Sequence, residues 1–352
     1  MSTTTQLTTH LAARYHRAGD VRADRVERRS PGPGEVEVAP LFTGICGTDL
    51  HIAAGHMDAR VSTPAVIGHE TVGTVSALGP GVTGWSAGDL VTVVPLRPDG
   101  TCATCRNGFP HVCDHLDFLG IDSPGALAEH WVVPEHTLVR VPDGTEPRDA
   151  ALLEPTSVAV HDVRRSRLAP GEFAAVVGGG PVGLLIALVA RRAGAEVVLS
   201  EPDATRRELA ATLGLEVVDP LAQDLAALTR ERTGGAGAAV AFEVSGSAPG
   251  LDAAIGALAV RGRLCLVGIH AAPREVDLHP FFWRELELLG ARLYERRDVE
   301  EAVRLVAGGE LPVAALVSHV LPLARVDEAF AALADGGAVK VLVDCRPARG
   351  GA

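Results

Sequence analysis

Cys46 in GICGTDLH, the pair His69 and Glu70 in GHE, and Glu154 in LEPTS bring together a thiolate, an imidazole and two carboxylates. Zinc accepts all three donor types, and a catalytic zinc keeps three protein ligands and one open position. Singly, a buried cysteine or a capping histidine is ordinary; together, these residues can supply such a set from three separate loops. Asp99, Cys102, Cys105 and Cys113 follow the spacing D-x2-C-x2-C-x7-C. Aspartate ligates zinc through oxygen, so one carboxylate and three thiolates make a chemically reasonable structural site. His111 and His115 stand as alternative fourth ligands, and an empty lobe is the other reading.

A third pattern binds a nucleotide rather than a metal. The stretch Phe173 to Glu201 reads as a buried strand, a glycine turn, a helix and a second strand ending in a carboxylate. Gly178, Gly180 and Gly183 give Gly-x-Gly-x-x-Gly: a tight turn, a close approach of backbone to pyrophosphate, and close packing of helix on strand. Pro181 and Val182 open the helix, whose amide N–H groups face the phosphates. Glu201, about 20 residues on, suits the adenosine ribose hydroxyls and repels a 2′-phosphate, which favours NAD over NADP. Arg206 and Arg207 are the only nearby support for NADP, and they also read as solvated residues opening the next helix.

These residues need two kinds of scaffold. From Pro31 to about residue 150, short alternating strands separated by Gly-rich turns predict an all-β domain with long loops, whereas residues 1 to 30 are weakly patterned. After Glu146 a helical stretch leads into strands alternating with helices, the grammar of a doubly wound parallel sheet with a last edge strand in ELELLGARLY. The tail, ending in VKVLVDC, is expected to return to the β domain, placing a cleft between the two. At 352 residues, two domains are expected.

The net charge of −12 and the absence of a long basic run argue against nucleic acid or an anionic membrane surface as partner. Residues 173 to 190 are uncharged, but their glycines and proline belong to the nucleotide turn, not to a membrane span. MSTTTQLTTHLAARYHRAGD lacks a basic segment followed by an apolar core, so a cytoplasmic location is expected. Six cysteines in such a chain suggest metal ligation or burial rather than disulfides. Cys265 reads as a core residue, and Cys345 carries no assignment.

Gly68-His69-Glu70 after Cys46-Gly-Thr-Asp-Leu-His51, then the cysteine cluster, Glu154-Pro155 and the glycine motif, resemble in order the zinc-dependent medium-chain alcohol and polyol dehydrogenases. Glu154-Pro155 is similar to the butanediol, sorbitol and threonine dehydrogenase branch. The resemblance implies a GroES-like β catalytic domain, residues 1–150 completed by about 295–352, and a Rossmann NAD-binding domain, residues 151–294. It implies Cys46, His69 and Glu154 as catalytic zinc ligands, with Glu70 as the alternate. It also implies Thr48 as acceptor of the substrate proton, His51 as its outlet to solvent, and Lys340 near the cofactor pyrophosphate. The family lobe carries four cysteines, and Asp99 departs from it.

The implied activity is reversible, zinc-dependent, NAD-linked hydride transfer between a small secondary alcohol, diol or polyol and the nicotinamide. The alternatives are a metal-independent, NADP-linked quinone or enoyl reductase, which would lack the ligand set, and a non-catalytic nucleotide-binding protein, in which the set would be broken. Arg97 is a candidate for facing the pocket, or an ordinary surface arginine. FFWRELELLGARLY suggests a sheet edge that pairs with a second subunit in a homodimer or homotetramer.

Overall fold

The structure, a computed structural model, describes residues 8–348. They divide into two compact units: residues 8–154, 306–308 and 317–348 in one, and residues 155–305 with 309–316 in the other.

In the first unit the strand Glu35–Gly44 is buried along most of its length, Val36 and Val38 fully. It is central in a seven-stranded sheet, pairing antiparallel with Glu70–Leu78 and with the late strand Lys340–Asp344. Valines of neighbouring strands, Leu138 and Trp131 close the core around it. Residues 9–27 form an antiparallel hairpin of two long strands where the sequence suggested little more than one strand and a turn. Their pattern is weak because Ala12 and Ala13 are buried side by side, while Val21 is the one buried residue of the second strand.

The second unit is built on a six-stranded parallel sheet, ordered Glu216–Val218, Glu196–Ser200, Phe173–Val177, Ala238–Glu243, Leu258–Leu266 and Glu287–Gly290. Phe173–Val177 is buried throughout, as a central parallel strand must be. The strand order reverses at the pair Phe173–Val177 and Ala238–Glu243, the switch point where such sheets bind ligands. Among the described residues, no helix is long and apolar enough to cross a membrane.

Helix Leu153–Arg165 carries a polar cluster that sequence reasoning missed. His161 Nδ1 and the Arg164 fork hold Asp298 at 2.7–2.9 Å. Asp162, beside them in sequence, is fully buried with neither carboxylate oxygen hydrogen-bonded. Burial and then the Asp298 charge push its carboxyl well above the usual range. A proton retained on folding favours the native state below the unfolded pKa of about 4, and this contribution is lost as pH rises toward the folded value. Asp162→Asn is therefore expected to raise the melting temperature more at pH about 8 than at about 5; an equal shift at both would show that Asp162 is ionised in the folded protein.

Candidate active site and nucleotide platform

Cys46 caps the short helix Gly47–Ala53, and its backbone N–H donates to Asp49 Oδ2 at 2.9 Å. Glu70 begins the strand Glu70–Leu78, His69 directly precedes it, and both are 2% exposed. The ligand atoms of Cys46, His69 and Glu70 all lie within 4.8 Å of one another. Glu154, also buried, stands outside this tight group, yet its charge acts on both His69 and Lys340.

Two orphaned atoms show that the pocket fits a cation. His69 Nδ1 and Asp49 Oδ1 are buried without hydrogen-bond partners and face each other at 3.8 Å. A metal-bound imidazole usually turns its other ring nitrogen to a carboxylate, and Asp49 is placed for that role. Burial alone would lower the His69 pKa, but Asp49, Cys46 and Glu154 outweigh it and raise it to about 10. Acidic groups thus converge on His69, and a bound zinc would add positive charge among them. Asp49 was not singled out from the sequence, although its place three residues after Cys46 at a helix start was a capping signal.

Lys340 lies in the same neighbourhood. Its ammonium pairs with Glu70 and donates to the Ile45 carbonyl at 3.0 Å, and its side chain is 2% exposed. Sheet register brings the pair together: Gly44 lies opposite both Leu342 and Glu70. A Cβ at Gly44 would collide with the Glu70 carboxylate and come within 2.9 Å of Lys340 Cε, so the pair needs glycine there. Thr48 is half-buried on the same short helix, and His51, exposed at its end, has Nδ1 3.3 Å from His56 Nδ1. Arg97 pairs with Asp117 and lines a cavity whose walls include none of Cys46, His69 and Glu70.

In the lobe, Asp99, Cys102, Cys105 and Cys113 also place their ligand atoms within 4.8 Å of one another. His111 and His115 are outside that set; His115 instead sits against Asp99. All six cysteines are free thiols.

In the second unit, Gly180 caps the helix Pro181–Arg192, with open space where its Cβ would be. A Cβ at Gly183 would overlap the Gly178 carbonyl oxygen, so helix and turn pack this closely only with glycine. Glu201 is 4% exposed; its carboxylate accepts the Gly179 N–H at 2.5 Å and the Asp203 N–H at 2.8 Å. Such a cradle, with amides at a helix start and an acid at the end of the next strand, fits a dinucleotide. Arg207 is committed to the Glu201 and Pro202 carbonyls and to Asp219.

Residues 32–143 match the alcohol dehydrogenase GroES-like domain, and residues 181–308 match the zinc-binding dehydrogenase family. The chain is 48% identical over 318 residues to 2-dehydro-3-deoxy-L-galactonate 5-dehydrogenase of Pseudoalteromonas atlantica, covering 90% of this chain and 93% of that protein. The crystal structure of 2R,3R-butanediol dehydrogenase from Bacillus subtilis is similar at TM-score 0.88 and 32% identity, over 96% of this chain and 100% of that one. A Sinorhizobium meliloti protein described as a zinc-binding dehydrogenase and bound to NADP is similar at TM-score 0.90 and 30% identity, over 96% and 99% of the two chains. With both family domains matched in order and a close relative aligned along most of its length, this chain belongs to the zinc-type medium-chain alcohol and polyol dehydrogenases.

Proposed function

We propose that the protein is a zinc-dependent, NAD-linked dehydrogenase that oxidises a secondary alcohol of a polyol or sugar acid, and reduces the corresponding ketone. The observation that carries this reading is the convergence of Cys46, His69 and Glu70 beside the orphaned pair His69 and Asp49. The sugar-acid class comes from the name of the relative at 48% identity.

When bound, zinc would polarise the alcohol oxygen and lower its pKa, and the nicotinamide would accept the hydride. Cys46 and His69 would hold the metal, with Glu154 as third ligand and Glu70 as its alternate. Glu70 already pairs with the Lys340 ammonium. Asp49 orients His69. Thr48 Oγ1 takes the substrate proton, and His51 passes it to solvent, in keeping with its exposure. In the second unit the amides around Gly180 hold the pyrophosphate and Glu201 the adenosine ribose.

NAD is favoured because Glu201 would meet a 2′-phosphate with like charge, and because Arg207, one of the two arginines opening the next helix, is tied to Asp219. The lobe of Asp99, Cys102, Cys105 and Cys113 is read as a second, structural zinc site. Six free thiols suit a reducing cytoplasm. Exposed Leu288 lies in the edge strand Glu287–Gly290, and exposed Leu278, Phe282 and Trp283 precede it in sequence, which supports pairing of two copies there.

Steady-state kinetics over a panel of sugar acids, polyols and diols, with both cofactors, tests the reading. Expected are two zincs per chain and a higher kcat/KM with NAD, with the preference narrowing by roughly tenfold or more in Glu201→Ala, which removes about 1.4 kcal/mol of discrimination. A clear preference for NADP in the parent protein would sink the cofactor assignment.

A further inference from the structure

The lobe departs from four thiolates at Asp99, and the departure has a partner. His115 Nδ1 lies 2.7 Å from Asp99 Oδ2. The other oxygen, Oδ1, accepts the backbone N–H groups of Thr101 at 2.8 Å and Cys102 at 2.9 Å. On the same side, Cys113 Sγ accepts the N–H groups of His115 at 3.3 Å and of Asp99 at 3.4 Å. His115, Thr101 and Cys102 take three of the carboxylate's about four lone-pair sites, and the Cys105 side chain meets the carboxylate as well, inside the cluster whose ligand atoms lie within 4.8 Å of one another. A thiolate ligand has one donor atom, whereas a carboxylate can rotate and present either oxygen. It becomes a defined ligand only if its orientation is fixed.

We propose that His115 is a positioning residue for the lobe metal: by donating from Nδ1 to Asp99 Oδ2 it holds the carboxylate as the oxygen ligand that completes a site of three cysteines. The proposal rests on the reading of the lobe as zinc-bound. His115 acts through Asp99 and does not itself enter the ligand set.

Zinc release from the full-length protein to a chromogenic chelator tests it, alongside total zinc per chain. Groups that brace metal ligands typically contribute 10- to 100-fold in affinity, and because the His115 side chain is 74% exposed, the low end applies. His115→Ala should release one of two zincs about tenfold faster, and His115→Asn, which keeps a donor, should recover most of the retention. In an Asp99→Cys background a thiolate needs no brace, so adding His115→Ala should leave release unchanged. With cobalt substituted for zinc, the visible bands of the lobe ion should shift in His115→Ala but not in the double variant. Two zincs whose release ignores His115→Ala, or an effect that persists in the Asp99→Cys background, would overturn the proposal alone. One zinc per chain, with Cys102, Cys105 and Cys113 all open to a thiol reagent, would remove the zinc-bound reading and the proposal together.

Discussion

Cys46→Ala and His69→Ala should each abolish turnover while leaving the nucleotide platform intact. Both side chains belong to the first unit, whereas Gly178, Gly180, Gly183 and Glu201 belong to the second. Metal polarisation of an oxygen is worth several kcal/mol, so kcat/KM should fall by about three orders of magnitude or more. NADH affinity, read by fluorescence titration, should stay within about threefold, because independent sites couple weakly. Elemental analysis should show one zinc lost and the lobe zinc kept. Normal activity in a metal-free preparation of the parent protein would overturn the mechanism and leave the fold assignment standing.

The second large effect is expected at Lys340. Its ammonium and the Glu70 carboxylate are 2% and 3% exposed, so each is the other's main compensation for leaving water. Burial would strip the Lys340 proton, but the Glu70 and Cys46 charges outweigh it and raise its pKa. Removing one partner of a buried pair strands the other, at about 3–5 kcal/mol, whereas replacing both with neutral groups of similar size is often nearly neutral. Lys340→Met should therefore destabilise the protein strongly in urea or thermal unfolding. Lys340→Met combined with Glu70→Gln should recover most of that loss. If the two single effects simply add, the pair is not coupled and its placement is wrong.

Lys340 also marks the limit of local reading. Its ammonium meets Glu70, 270 positions away. No spacing rule reports that contact, because it follows from two strand registers that both pass through Gly44. Asp49 opposite His69 and His115 beside Asp99 belong to the same class. Asp49 had a capping signal but no visible histidine partner, and His115 was visible only as a rival ligand.

The sequence by itself determined the donor types, the glycine turn and the alternation of strands and helices. Each is a property of one loop or one element, where residue type and spacing set backbone geometry and available atoms directly. Only the tertiary structure decided which buried charges neutralise one another, which carboxylate lies within 4.8 Å of the Cys46 and His69 ligand atoms, and which side chains brace the ligands. Those outcomes depend on register and on burial in a medium of low dielectric, where a shift of a few ångströms separates a ligand from a counter-ion.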